Sequence, residues 1–130
     1  MHNLTAPICQ IEITSVGPLA GEFTDHGIWV LFHEQAPEEV AEFALLHRAV
    51  PPNEPLAPGQ LLTIDQERYT ITAVGAVANE NLVNLGHLVL KANGLEQPEL
   101  PGDVCVEARE LPRPAVGLCL SVWAVTGVAP

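Results

Sequence analysis

Two histidines, His47 and His87, are the residues of this chain whose chemistry is easiest to interpret. His47 closes an acidic segment with helical spacing that begins at Pro37, and His87 closes a longer apolar segment that begins at Tyr69. A neutral imidazole nitrogen is a nucleophile that accepts a phosphoryl group and passes it on. Because an imidazole has an ordinary pKa near ~6.5, much of it is neutral near pH 7. Phosphoryl transfer, with His47 as the nucleophile, is therefore a chemistry that these residues suit.

Each histidine also has a purely structural interpretation. At the end of a helix, the positive form of His47 would suit the negative end of the helix dipole. At the start of a strand, His87 would share a half-solvated face with Val89 and Lys91. In the functional interpretation, His87 donates to or orients phosphohistidine, and Lys91 adds positive charge nearby. Phosphoryl transfer depends mainly on such positioning and charge stabilisation.

Metal chemistry is not expected from the remaining candidate ligands. His26 and His33 add two imidazoles to His47 and His87, but the spacing of the four matches no metal motif. The three cysteines are isolated, with no CxxC pair, and we expect them to be buried small hydrophobes: Cys9, Cys105 and Cys119. The chain contains no glycine-rich phosphate loop and no G-x-S-x-G elbow. We expect neither a metal nor a cofactor.

Composition and charge exclude several kinds of partner. The chain has 130 residues, a formal net charge of −11 and only five basic residues. A surface this acidic repels nucleic acid and anionic membranes, whereas it is compatible with a basic protein partner. No apolar run approaches the ~20 residues of a spanning helix, and the first residues do not resemble a signal peptide. We expect one domain over residues 1–130, in the cytoplasm, without direct membrane insertion.

One helix of about three turns is predicted to position His47. Proline suits the first helical position, where its missing N–H is not needed, and Glu38 and Glu39 suit the positive end of the helix dipole. A stripe at helical spacing then runs from Val40 to His47. The Pro-Pro pair that follows, at positions 51 and 52, forbids continuation.

Seven further segments have the short apolar or alternating pattern of strands. Asp65 and Gln66 are predicted to link two of them as a hairpin, and 79–85 is predicted to form a helical turn. The pattern implies an antiparallel barrel or sandwich, and we favour a small closed or partly open β-barrel with one short helix. The predicted strands are 8–15, 28–32, 60–64, 68–74, 87–92, 104–108 and 117–125.

Several segments together resemble the glucitol/sorbitol-specific enzyme IIA component of the bacterial phosphoenolpyruvate-dependent sugar phosphotransferase system. The most specific part joins Tyr-Thr-Ile-Thr-Ala-Val-Gly, at 69–75, to Asn-Leu-Val-Asn-Leu-Gly-His, at 81–87. The other matching segments are 32–37, 42–47, 56–59, 94–95 and 100–102. The resemblance covers nearly the whole chain and implies a mainly β fold.

The resemblance also implies a function and partners. In that family a histidine, matched here by His47, accepts phosphate from the phosphocarrier protein HPr. The phosphate then passes to a cysteine of the IIB component, and the sugar is phosphorylated during transport by the IIB and IIC glucitol permease components. The oligomeric state is left open, a homo-oligomer included. Two alternatives also stay open: a non-catalytic binding module of this ancestry, and a metal-dependent small-barrel enzyme.

Overall fold

Eight strands close into a single barrel in the computed structural model, which describes residues 2–127 and the side chains of residues 6–125. The strands are β1 (His2–Val16), β2 (Ile28–His33), β3 (Leu45–His47), β4 (Leu61–Ile64), β5 (Glu67–Val74), β6 (Leu88–Lys91), β7 (Asp103–Val106) and β8 (Cys119–Gly127). Three short helices accompany them: α1 (Ala20–Asp25), α2 (Glu38–Ala41) and α3 (Ala78–Leu85).

The order of strands around the barrel is β1-β3-β2-β6-β7-β5-β4-β8, and β8 pairs with β1 to complete it. Six of the eight pairings are antiparallel, and the β2–β3 and β6–β7 pairings are parallel. The closed, mainly β barrel confirms the predicted fold class. The two parallel pairings differ from the all-antiparallel expectation, and the β2–β3 pairing positions the site described below.

Alternating side chains fill the barrel, as the sequence pattern predicts. Along β5, Tyr69, Ile71 and Ala73 are buried, and their neighbours on the opposite face are more exposed. The same alternation buries Ile11 and Ile13 of β1. All seven predicted strands are present, although β1 begins earlier, at His2. The hairpin at Asp65 is also confirmed, and Asp65 adopts a positive φ of 51° in its two-residue turn.

The prediction of a single helix from Pro37 to His47 is wrong beyond Ala41, where the observed helix ends. The observed α2 is four residues long, and His47 ends the strand β3. The reason is tertiary. The Gly17 N–H donates to the Ala44 carbonyl at 2.9 Å, and the Leu19 N–H donates to the Glu42 carbonyl at 2.8 Å. Residues 45–47 then pair with β1 on one side and with β2 on the other, which provides the hydrogen bonds that a helix would have supplied.

Lys91 also has a different role from the one expected, because it is held in an ion pair. Its Nζ lies 2.8 Å from Oδ2 of Asp103, a carboxylate that is only 1% exposed. The same oxygen accepts the Leu100 N–H at 3.0 Å. A lysine committed to a buried carboxylate in this way stabilises the parallel β6–β7 pairing, and it does not supply positive charge to a phosphohistidine.

None of the helices over residues 2–127 has the length and hydrophobicity that crossing a bilayer requires.

Replacing Lys91 should test this structural role. Lys91→Met leaves the Asp103 carboxylate buried without its cation, so we expect the free energy of unfolding to fall by about 3 kcal/mol. Arg113→Met is the matched control, because Arg113 pairs with Asp25 at the same 2.8 Å while both side chains are largely exposed. The control should cost less than about 1 kcal/mol. Equal losses in urea unfolding would contradict the assignment.

Candidate functional site

Two histidines lie side by side at one end of the barrel because β2 and β3 run parallel. His33 is the last residue of β2, His47 is the last residue of β3, and the register pairs them with each other. Their rings lie 5.9 Å apart between centroids, in an edge-to-face arrangement of 75°. The Glu34 N–H continues the ladder by donating to the His47 carbonyl at 2.8 Å. The pairing thus fixes both imidazoles relative to each other.

Both ring nitrogens of His47 have defined hydrogen-bond partners. Nδ1 accepts the Ala49 N–H at 3.0 Å, and Nε2 lies 2.8 Å from the Gly86 carbonyl oxygen. A nitrogen that accepts a hydrogen bond is unprotonated, so the proton of the neutral ring must lie on Nε2 and be donated to Gly86. The surroundings therefore select one tautomer, in which Nδ1 carries the lone pair and the Ala49 N–H occupies it.

Gly86 is required at its position for two physical reasons. It ends α3 in the left-handed conformation, with φ 62° and ψ 22°, which glycine adopts at little cost. A Cβ on Gly86 would also lie 2.9 Å from Cε1 of His47 and 3.0 Å from both Cβ and N of His33. The absence of a side chain thus allows the end of α3 to approach both histidines and to present its carbonyl to His47.

The histidines line a cavity of about 560 Å³. His47 is one of the residues that line the cavity, and it is only 1% exposed. Three apolar side chains around the cavity are largely exposed, namely Val50 at 79%, Val83 at 51% and Leu85 at 52%. The remaining lining residues come from β1, from the ends of β2 and β3, from the segment before α2 and from α3: Cys9, Ile11, Phe32, Gln35, Ala36, Pro37, Arg48, Ala49, Pro51, Leu82 and Asn84.

The pKa of His47 is lowered from its ordinary value of 6.5, chiefly because burial disfavours the charged ring. The hydrogen bond to Gly86 acts in the opposite direction, the neighbouring His33 lowers the pKa further, and Glu34 raises it. The net effect keeps His47 neutral at pH values where an exposed histidine begins to be protonated. A neutral ring is the nucleophilic form.

Glu34 and Arg48 form an ion pair next to the two histidines. The Arg48 Nε donates to Oε2 of Glu34 at 2.7 Å, and the Arg48 side chain is 72% exposed. Arg48 lines the cavity, whereas its charge is directed to Glu34.

His87, the second predicted site residue, does not line this cavity. Its ring stacks on Phe32 with centroids 4.0 Å apart and an interplanar angle of 19°, and its Nδ1 lies 3.2 Å from the Leu31 carbonyl. Phe32 itself lines the cavity. The structure therefore places His87 behind a wall of the site, and the histidine that it brings next to His47 is His33.

Sequence reasoning considered His33 only as a possible metal ligand and gave Gly86 no role. The signal for Gly86 was present, since a glycine directly after a helical segment is typical of a helix end. The sequence carried no such signal for His33, because the parallel pairing that brings it next to His47 leaves no local pattern. Over residues 2–127, the structure contains no group of three or more His, Cys, Asp or Glu side chains placed to hold a metal ion.

The cysteines are free thiols with no sign of reactivity. Cys9 and Cys105 are buried as predicted, and Cys119 is half-buried. Burial, together with the nearby Cys119, raises the pKa of the Cys9 thiol to about 11. Cys9 lines the cavity, but at neutral pH it is a protonated thiol and not a nucleophile.

Comparisons with known proteins agree on one family. The family model for the PTS system glucitol/sorbitol-specific IIA component matches residues 8–121. The glucitol/sorbitol-specific EIIA components of Shigella flexneri and Escherichia coli (strain K12) are each 37% identical over 99 residues, which covers 76% of this chain and 80% of each relative. The crystal structure of a PTS system IIA component from Enterococcus faecalis V583 is similar with a TM-score of 0.77 and 28% identity, covering 88% of this chain and 99% of that one.

Replacing Gly86 should lower the free energy of unfolding by more than the strain of a left-handed backbone alone. Gly86→Ala brings a Cβ against His47 and His33, and we expect it to lower the free energy of unfolding by about 1–3 kcal/mol more than Gly117→Ala does. Gly117 is the matched control, because its φ of 96° strains alanine at least as much while nothing lies within 4 Å of the added Cβ. Urea unfolding of both variants measures the difference, and equal losses would show that the close approach costs nothing.

The lowered pKa of His47 predicts a specific dependence of stability on pH. Below pH 6.5 the unfolded chain takes up a proton at this position while the folded chain resists it. Stability due to neutral His47 is therefore present above pH 6.5 and is lost as the pH falls toward the folded pKa. The loss amounts to at most about 1.4 kcal/mol per pH unit. Urea unfolding of wild type and His47→Gln between pH 7.5 and 5.5 should show a shallower slope for the variant, and identical slopes would contradict the assignment.

Proposed function

Because the chain belongs to the family of phosphotransferase-system glucitol/sorbitol-specific IIA components, we propose that it carries a phosphoryl group on His47. The phosphate comes from the phosphocarrier protein HPr and passes to a cysteine of the IIB component during the uptake of glucitol, which is also called sorbitol. The observation that supports this proposal best is the state of His47: a neutral imidazole with a fixed tautomer, in the wall of a cavity.

The hydrogen bonds of His47 suit the transfer step. In the observed tautomer, the Nδ1 lone pair attacks the phosphorus atom carried by the donor imidazole. The new N–P bond forms while the bond between phosphorus and the donor nitrogen breaks, and that electron pair returns to the donor ring. The proton on Nε2 stays in place, held by the Gly86 carbonyl. No proton has to move, which lets the step depend mainly on positioning.

Ala49 contributes a donor to the same step. Its N–H occupies the Nδ1 lone pair in the resting structure, so the attacking nitrogen must release it. Once the phosphoryl group is on Nδ1, the released N–H is next to the phosphoryl oxygens and available to one of them. Backbone N–H groups are effective donors to developing negative charge. The reverse sequence, with a thiolate of the IIB component as the attacking group, returns the electron pair to His47.

The surface around the cavity suits a protein donor. Val50, Val83 and Leu85 offer an exposed apolar rim, and Glu38 and Glu39 are exposed directly after Pro37, which lines the cavity. Apolar contact at the centre with complementary charge around it is typical of protein–protein recognition. We propose that HPr and the IIB component both dock on this rim in turn, presenting a basic surface to the acidic one.

For His87 we propose a positioning role exerted through Phe32. Phe32 lines the cavity and His87 stacks on it, so a change at His87 would reach the site by moving Phe32. His87→Gln should accordingly slow transfer by less than about tenfold, since no charge-assisted hydrogen bond to the phosphoryl group is lost.

Phosphorylation in a reconstituted chain tests the proposed function. The protein is incubated with phosphoenolpyruvate, magnesium, enzyme I and HPr, and its intact mass is measured before and after acid treatment. We expect wild type, His87→Gln and His26→Gln to take up one acid-labile phosphoryl group and His47→Gln to take up none. His26 is an exposed histidine at the end of α1 and serves as the control.

Two outcomes would overturn the proposal in different ways. Uptake by His47→Gln would move the phosphorylated residue elsewhere. No uptake by wild type, in a mixture that phosphorylates another IIA component, would favour the non-catalytic binding module. Circular dichroism of each variant establishes that it is folded.

A further inference from the structure

We propose that His33, as its imidazolium, donates a hydrogen bond to the phosphoryl group on His47 and thereby stabilises the phosphorylated carrier. This inference rests on the proposed function. Its geometric basis is the parallel β2–β3 register, which places His33 opposite His47 at the same end of the barrel. The two rings lie 5.9 Å apart between centroids, and both line the cavity that a phosphoryl group would enter.

The hydrogen bonds of His33 leave one donor available. Nδ1 accepts the Gln35 N–H at 3.3 Å, so the proton of the neutral ring lies on Nε2. Within residues 2–127 the structure gives this Nε2 no hydrogen-bond partner. Protonation of Nδ1 gives up only a long bond to an exposed backbone N–H, which water replaces at little cost.

The charges around His33 change when His47 is phosphorylated. Before phosphorylation, the titratable and charged groups that line the cavity with His33 are neutral His47, the thiol of Cys9 and Arg48, whose guanidinium pairs with Glu34 at 2.7 Å. The end of α3 that faces the cavity, residues 82–86, contributes no charged side chain. Phosphorylation gives His47, whose ring keeps its Nε2 proton, a net charge of −1 with the negative charge on the phosphoryl oxygens, and these oxygens favour the charged form of an adjacent imidazole.

Other cations of the chain are less suited to this role. Lys91 is bound to Asp103, and His87 lies behind Phe32. Arg48 lines the cavity, but its side chain is 72% exposed and its Nε already pairs with Glu34. His33 is therefore the half-buried donor that the cavity holds ready beside His47.

The experiment measures the equilibrium of phosphoryl exchange between phosphorylated HPr and this protein at pH 6, 7.5 and 9. We expect His33→Gln to reduce the equilibrium constant about 10- to 100-fold at pH 6, the value of one charge-assisted hydrogen bond. The ratio of wild type to variant should be smaller at pH 9, because a neutral ring offers only an uncharged hydrogen bond. His26→Gln, the same change at an exposed histidine outside the cavity, should match wild type at every pH.

A second variant keeps the test decisive if glutamine disturbs folding. His33→Arg retains the positive charge at all three pH values, whereas the control His26→Gln keeps the histidine at position 33. The equilibrium constant of His33→Arg, divided by that of the control, should therefore be higher at pH 9 than at pH 6. A ratio of wild type to His33→Gln that equals one at pH 6, or that does not change with pH, would overturn the inference. Failure of the proposed function itself would look different, because wild type would then take up no phosphate.

Discussion

The parallel pairing of β2 with β3 is the interaction on which the site depends. The strand β3 is only three residues long, and it persists because it lies between β1 and β2 and is hydrogen-bonded to both. The register of that pairing places His33 and His47 side by side, although they are well separated in sequence. Because neighbouring parallel strands end at the same edge, the histidines face a common cavity. The short helix α2 is the connection that makes the parallel return possible.

Much of the fold was predictable from the sequence because its signals are local. Alternating side chains identify β1, β4, β5 and β8, and the Asp65 turn identifies a hairpin. The strand β3 was not predictable, since a short apolar run after a helical segment fits a helix as well as a strand. Its strand conformation comes from pairing with β1 and β2, and the N–H groups of Gly17 and Leu19 bind the carbonyls of Ala44 and Glu42 just before it. Similarly, α1 was missed because Gly21 lies inside it.

The site shows the same division between local and long-range information. His47 was identifiable as a candidate from its residue type and from the family resemblance. Its partners were not, because they are a backbone carbonyl, a backbone N–H and a histidine from another strand. Lys91 illustrates the converse case: its charge suggested a role with phosphate, and only the fold reveals that a buried carboxylate binds it. A residue type indicates which chemistry is available, whereas its neighbours decide which chemistry is used.

Closure of the barrel has a consequence for how this protein meets other proteins. In the closed barrel every described strand has a neighbour on each side along at least part of its length. The strand β3, which carries His47, is paired with β1 and β2 along all three of its residues, so a partner finds no free row of backbone groups there on which to add a strand. Recognition at His47 must therefore come from side chains and loops. Contacts of that kind are easily made weak and brief, which suits the proposed exchange of one partner for the next.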